Sequence, residues 1–161
     1  MASLEQEIGS LLRQKGLTLG TVESATGGLI SARLTGVPGS SDYYKGSVVS
    51  YSNEIKMRLV GVKEETLNKH GAVSHEVARE MAAGGRKVLN VDICLSDTGI
   101  AGPGGATPGK DVGLFYVGLS HRNGTLSKEY HFTGSRNQNR KQAADAALAW
   151  LKEYLVSLNT V

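Results

Sequence analysis

Leu4, Ile8, Leu11 and Leu12 recur at helical spacing and predict an amphipathic helix over about residues 3 to 15, stopped near Gly16. From Leu17 to Val22 the pattern changes to alternation carrying Thr and Val, which predicts a strand. That strand runs into the small polar turn Glu23-Ser-Ala-Thr-Gly-Gly28 and then a short helix, Leu29 to Leu34. A strand, a glycine-rich turn and a helix form the α/β unit that aims backbone N–H groups from a helix start. Gly46 to Ser52 is rich in strand formers, Asn53 to Leu59 has helical spacing, and Glu64 to Lys69 predicts one further turn or two of helix before Gly71.

Ser74 is placed to cap a helix over about residues 75 to 89, with Val77, Met81 and Val88 facing inward. Val91 to Ser96 reads as a buried strand opening into a long loop, Thr98 to Lys110. Val112 to Leu119 and Leu126 to Phe132 flank Asn123-Gly124, a strong hairpin signal. A last helix, about residues 136 to 157, should bury Ala144, Leu148, Leu151 and Leu155. The order predicts a three-layer α/β/α fold with a mixed, mostly parallel sheet and a late antiparallel hairpin.

Composition adds limits. The 161 residues suit a single domain over 1–161, and 40% hydrophobic with 20% charged residues is an ordinary globular balance. The single cysteine, Cys94, lies in the apolar run Val91 to Leu95, which excludes a disulfide framework and marks it as a buried small hydrophobe. No apolar signal core opens the chain and no run approaches membrane-spanning length, so a cytosolic protein without a membrane partner is expected. Net charge is +3, and the densest basic stretch is only Arg136, Arg140 and Lys141. With Phe only at 115 and 132, aromatic-basic interleaving is missing and no nucleic-acid partner is expected; an anionic small molecule fits better.

Small polar residues gather at predicted strand ends in Glu23 to Gly28, Pro38-Gly-Ser-Ser41, Tyr51 to Lys56 and Ser96 to Gly105. The phosphate-loop signature, His-Glu-x-x-His and the Gly-x-Ser-x-Gly elbow are all absent. His70, His75, His121 and His131 lack ligand spacing, so no metal or other cofactor is expected. If hydrolysis occurs, a serine nucleophile with a desolvated lysine base is the remaining local option.

The segments Glu23-Ser-Ala-Thr-Gly-Gly28, Val37-Pro-Gly-Ser-Ser41, Val49-Ser-Tyr-Ser-Asn-Glu-Ile-Lys56, Gly61-Val62, His70-Gly-Ala-Val-Ser74, Thr98-Gly-Ile-Ala-Gly-Pro-Gly-Gly105 and Pro108-Gly-Lys-Asp-Val-Gly113 succeed one another in this order. Together they resemble the CinA C-terminal domain family, over almost the whole chain. The resemblance implies metal-independent deamidation of nicotinamide mononucleotide to nicotinic acid mononucleotide and ammonia. It also implies Ser41 as nucleophile and Lys56 as base, with Ser24, Tyr51 and Thr98 orienting the amide and the proton path. Backbone N–H groups around Gly39 to Ser41 could then serve the oxyanion. Arg140 would meet phosphate or ribose, with Arg136 as its rival. Thr26, Gly27, Gly28, Gly102 and Gly104 could cradle phosphate through backbone amides or form only tight turns.

Blander roles stand beside these: Ser41 as a turn cap, Lys56 on an exposed charged face with Glu54 and Arg58, Tyr51 as sheet packing. The sequence departs from the family at Ala25, where cysteine is usual, so no thiol chemistry is expected there. Longer relatives carry an N-terminal domain associated with nucleotide pyrophosphate hydrolysis, and that activity is not expected of these 161 residues. A homo-oligomer is expected, since small α/β enzymes often self-associate. The alternative to the enzyme is a catalytically silent domain that binds a nucleotide.

Overall fold

The computed structural model describes residues 1–158. Helix α1 (Leu4–Lys15) starts at Ser3, which accepts from Gln6 N while the Gln6 side chain returns to the Ser3 amide; it ends at Gly16 in the left-handed region. Then come β1 (Leu19–Glu23), α2 (Leu29–Thr35), a 3-10 turn (Ser40–Asp42), β2 (Tyr44–Val49), α3 (Asn53–Val60) and α4 (Glu64–His70). Helix α5 (His75–Leu89) is capped by Ser74, as its sequence predicts. It leads to β3 (Ile93–Gly99), the hairpin β4 (Leu114–His121) and β5 (Gly124–His131), and α6 (Arg136–Ser157).

The sheet order is β2-β1-β3-β4-β5. β2, β1 and β3 are parallel, and β4 and β5 complete the sheet antiparallel. Side chains alternate across each strand, so each face has its own core. Leu19, Ile93, Leu95, Val117 and Leu119 pack with Ile8 and Leu12 of α1, Ile30 and Leu34 of α2, and Leu148, Leu151 and Leu155 of α6. On the other face Val22 and Cys94 pack with Val60, Val77 and Met81. Helices therefore cover both faces, and the three parallel strands end together at one edge of the sheet. In open parallel sheets that edge is where ligands are held.

Two sequence expectations change. Val88 is 57% exposed, because Ala78, Ala82 and Gly85 share the buried stripe of α5 with Val77 and Met81 and turn it away from Val88. The register pairs His121 with Gly124, so the hairpin turn is Arg122-Asn123 and Gly124 opens β5. Cys94 is fully buried, and burial alone pushes its thiol up to about 12. Trp150 belongs to the core cluster on the α6 face. Among the described residues no helix is long and apolar enough to cross a membrane.

Candidate active site

Ser52 caps α3 by accepting from Ile55 N at 3.2 Å, which starts the helix just beyond the end of β2. One turn later Lys56 points inward and is only 2% exposed. Its Nζ lies 3.0 Å from Ser24 Oγ, 2.9 Å from the Ser50 carbonyl and 3.0 Å from the Tyr51 carbonyl. Two of these three neighbours can only accept. In a neutral amine they take the two hydrogens, and the lone pair is left facing the Ser24 hydroxyl. Burial lowers the Lys56 pKa to about 8, with Asp97 acting in the opposite direction. The blander expectation of an exposed lysine on a charged helix face is thereby overturned.

Ser24 is held by a turn built around two buried carboxylates. Glu23 accepts from Thr26 Oγ1 at 2.7 Å and from the amides of Gly28, Ile30 and Ser31 at 3.1, 3.0 and 2.9 Å, besides the Ser31 hydroxyl. Asp97, from β3, accepts from the amides of Ser24 and Thr26 at 3.2 and 3.1 Å and contacts Thr26 Oγ1. Burial raises its pKa to about 6, against the lowering effect of these hydrogen bonds.

A cavity of about 240 Å³ opens above this pair, lined by Ser24, Ala25, Tyr51, Asn53, Lys56, Ala72, Val73, Thr98 and Arg136 among others. Thr98 is buried, and its hydroxyl donates to the Ala72 carbonyl at 2.8 Å, bringing the loop before α5 against the end of β3. Tyr51 is 64% exposed and forms one wall, its hydroxyl 3.4 Å from Arg136. Beside it lies a wider, more open hollow of about 460 Å³, formed by Gly102 to Gly105 with Tyr51 and Arg136. Arg136 is common to both, and it donates to the Gly102 carbonyl at 2.9 Å.

The CinA C-terminal domain profile matches residues 1–155. The chain belongs to the CinA C-terminal domain family. A competence-damage inducible protein of Halothermothrix orenii is 52% identical over 95% of this chain, and a CinA-like protein of Dictyoglomus thermophilum is 49% identical over 97%. The chain spans 37% and 38% of those two relatives, a little over a third of their length. The crystal structure of a CinA superfamily protein from Klebsiella pneumoniae shares 32% identity at a TM-score of 0.93, with 96% of each chain covered. A competence/damage inducible protein from Agrobacterium tumefaciens is 36% identical at a TM-score of 0.84, over 99% of this chain and 100% of its own.

In this CinA domain Lys56, Ser24, Tyr51 and Thr98 meet around one cavity, but Ser41 does not join them. Ser41 is exposed on the 3-10 turn before β2, where Arg13 bonds the Gly39 carbonyl and pairs with Asp42. The whole of β2 runs between Ser41 and Ser50. Six residues at about 3.3 Å each put the two ends of that strand roughly 20 Å apart. The pairing of Ser41 with Lys56 therefore does not form within the chain, and the amides around Gly39 face the wrong end of the sheet.

The phosphate cradle at Thr26-Gly-Gly28 is also corrected. Thr26 is fully buried, and the amides of Thr26 and Gly28 are taken by Asp97 and Glu23, so the anions at this turn are the protein's own. Gly27 packs against Arg140. Arg140 donates to the carbonyls of Ala25 and Thr26 at 3.0 and 3.2 Å and braces the turn from behind, so Arg136 is the arginine at the cavity. Gly102 and Gly104 do line the open hollow.

Asn53 and Asp97 belong to the site without a signal of their own in the sequence. Both stand among small polar residues at strand ends, but nothing in their spacing shows that Asn53 lines the cavity or that Asp97 lies beneath Ser24.

Proposed function

We propose that this CinA domain is a metal-independent amidohydrolase that converts nicotinamide mononucleotide and water to nicotinic acid mononucleotide and ammonia, with Ser24 as nucleophile and Lys56 as base. The observation that carries this reading is the 3.0 Å approach of Lys56 Nζ to Ser24 Oγ, with the amine's other neighbours both carbonyl acceptors. The substrate rests on the family resemblance.

Neutral Lys56 takes the Ser24 proton as Oγ attacks the carboxamide carbon. The carbonyl oxygen becomes an oxyanion, for which we assign the Asn53 side-chain amide, on the cavity wall, as a donor. Collapse breaks the C–N bond, and protonated Lys56 delivers its proton to the leaving nitrogen, which departs as ammonia. This leaves an ester between Ser24 and nicotinic acid mononucleotide. Water then attacks the ester with Lys56 again as base, the acid is released, and the proton returns to Ser24 Oγ.

Tyr51 and Val73 flank the space for the pyridine ring, and Arg136 takes the phosphate in the open hollow. Its guanidinium has donors to spare beyond those given to the Gly102 carbonyl and the Tyr51 hydroxyl.

The test is ammonia release from nicotinamide mononucleotide with excess chelator, by the wild type and by Ser24→Ala, Lys56→Met and Ser41→Ala variants. Release that the first two lose at least a hundredfold, and Ser41→Ala retains, supports the reading. Nucleotide binding by calorimetry without any release identifies a silent binding domain instead. Loss of activity in folded Ser41→Ala alone returns the nucleophile to Ser41.

A further inference from the structure

Asp97 is fully buried beneath Ser24 and lines neither hollow of the site, yet it reaches both ends of the turn that carries the nucleophile. Its surroundings come from four elements. From β1, Glu23 shares the Thr26 hydroxyl with it; from α3, Lys56 Nζ lies 3.0 Å from the hydroxyl of Ser24, the residue whose amide Asp97 accepts, and the Asp97 charge opposes the lowering of the Lys56 pKa. The turn supplies the amides of Ser24 and Thr26, and from α6 Arg140 is engaged by the carbonyls of Ala25 and Thr26.

Thr26 Oγ1 lies within hydrogen-bonding distance of both Glu23 and Asp97, but a hydroxyl has one hydrogen. Glu23 has five further donors, three amides and the hydroxyls of Ser31 and Thr21, whereas Asp97 has two amides. When the Thr26 hydrogen goes to Glu23, the contact with Asp97 is completed by a proton on Asp97 itself. Asp97 is thus the carboxyl in this cluster built to exist in two charge states.

We propose that Asp97 is the positioning residue of the Ser24–Lys56 pair: it fixes the Ser24–Thr26 turn through two amides and one hydroxyl, and its charge governs when Lys56 gives up its proton. This rests on the amidohydrolase reading for its consequence in catalysis, but not for the coupling of the two groups. Ionised Asp97 holds the proton on Lys56, and protonated Asp97 releases it. Burial holds Asp97 up at about 6 and Lys56 down at about 8, so the two titrate in adjoining ranges.

The experiment tracks the Lys56 side-chain carbon next to Nζ by NMR against pH, in the wild type and in Asp97→Asn, with Lys56→Met assigning the signal. Removing the charge should move the Lys56 midpoint to lower pH by about one unit or more. In the wild type alone, the Lys56 signal should show a minor step near pH 6 as Asp97 titrates. That step provides the test even where Asp97→Asn does not fold. An unmoved Lys56 midpoint in folded Asp97→Asn overturns the proposal, and so does a wild-type titration with no step near pH 6.

Activity separates the two readings. If the chain hydrolyses the amide, the alkaline rise of kcat in Asp97→Asn should move with the Lys56 midpoint. A purely structural role would instead lower kcat by the same factor at every pH. A moved midpoint in a chain that releases no ammonia sinks the amidohydrolase reading and leaves the Asp97–Lys56 coupling standing.

Discussion

Arg136 and Arg140 stand one turn apart at the start of α6 and bind backbone on different sides of the same site. Arg136 donates to Gly102 at the cavity rim, and Arg140 donates to Ala25 and Thr26 behind the nucleophile turn. Their alanine variants should therefore fail differently. Arg136→Ala should raise KM for the mononucleotide about tenfold, the worth of one charge-assisted hydrogen bond to phosphate, and leave the melting temperature unchanged. Arg140→Ala should cost about 2 kcal/mol in denaturant unfolding, because two buried carbonyls lose their donor, and should lower kcat more than it changes KM. Steady-state kinetics beside urea titration checks both.

Lys56 must be neutral to accept the Ser24 proton. Burial places its pKa at about 8, so kcat should be low at pH 6, rise tenfold per pH unit in the acid range and level off above about pH 9. A flat profile between pH 6 and 9 would remove lysine as the base.

The same burial affects stability. Lys56 has a folded-state pKa below its ordinary value of 10.5, so the unfolded chain binds more protons between about 8 and 10.5. Its contribution is fully present above that range and is lost as pH falls through about 8. Lys56→Met should erase this local slope in a plot of unfolding free energy against pH. Its net effect at pH 7 should stay within about 1 kcal/mol, since relief of desolvation offsets the lost bonds to two carbonyls.

Glu23 caps α2 with its side chain from the end of the preceding strand through three amides, and it also accepts from the hydroxyls of Thr21, Thr26 and Ser31. Glu23→Gln replaces an oxygen acceptor by an amide donor facing other donors. It should destabilise the fold by about 2 kcal/mol or more and lower kcat with it, because Ser24 is the next residue. A variant with wild-type unfolding behaviour would show that α2 does not depend on this internal anion.

Gly84 lets α5 lie directly on the end of α3. A Cβ there would collide with the backbone carbonyl of Val60, which cannot turn aside as a side chain can. Gly84→Ala should cost about 1 to 3 kcal/mol by overpacking and, by displacing α3, should lower activity through Lys56. Unfolding and ammonia release should fall together.

Much of this was legible along the chain. Periodicity located α1, α5 and α6, and Ser74 caps α5 as its place before an apolar stripe predicts. Ordered motifs brought Lys56, Ser24, Tyr51 and Thr98 to notice as a set, and all four line one cavity. Those signals are local, because a helix face or a cap is decided within a few residues of itself.

Which serine meets the lysine is not a local matter. Ser24 comes directly after β1 and Lys56 comes shortly after β2, and because these two strands run parallel, both residues emerge at the same end of the sheet. Ser41 precedes β2 and is carried to the other end by the same pairing. Nor does spacing reveal that the Thr26-Gly-Gly28 amides are satisfied from within. Asp97 lies 71 residues from Thr26 along the chain, and only the β1–β3 register brings it beneath that turn. A strand's direction and its neighbour are set by the packing of the whole sheet, so residue order could nominate these groups and only the fold could pair them.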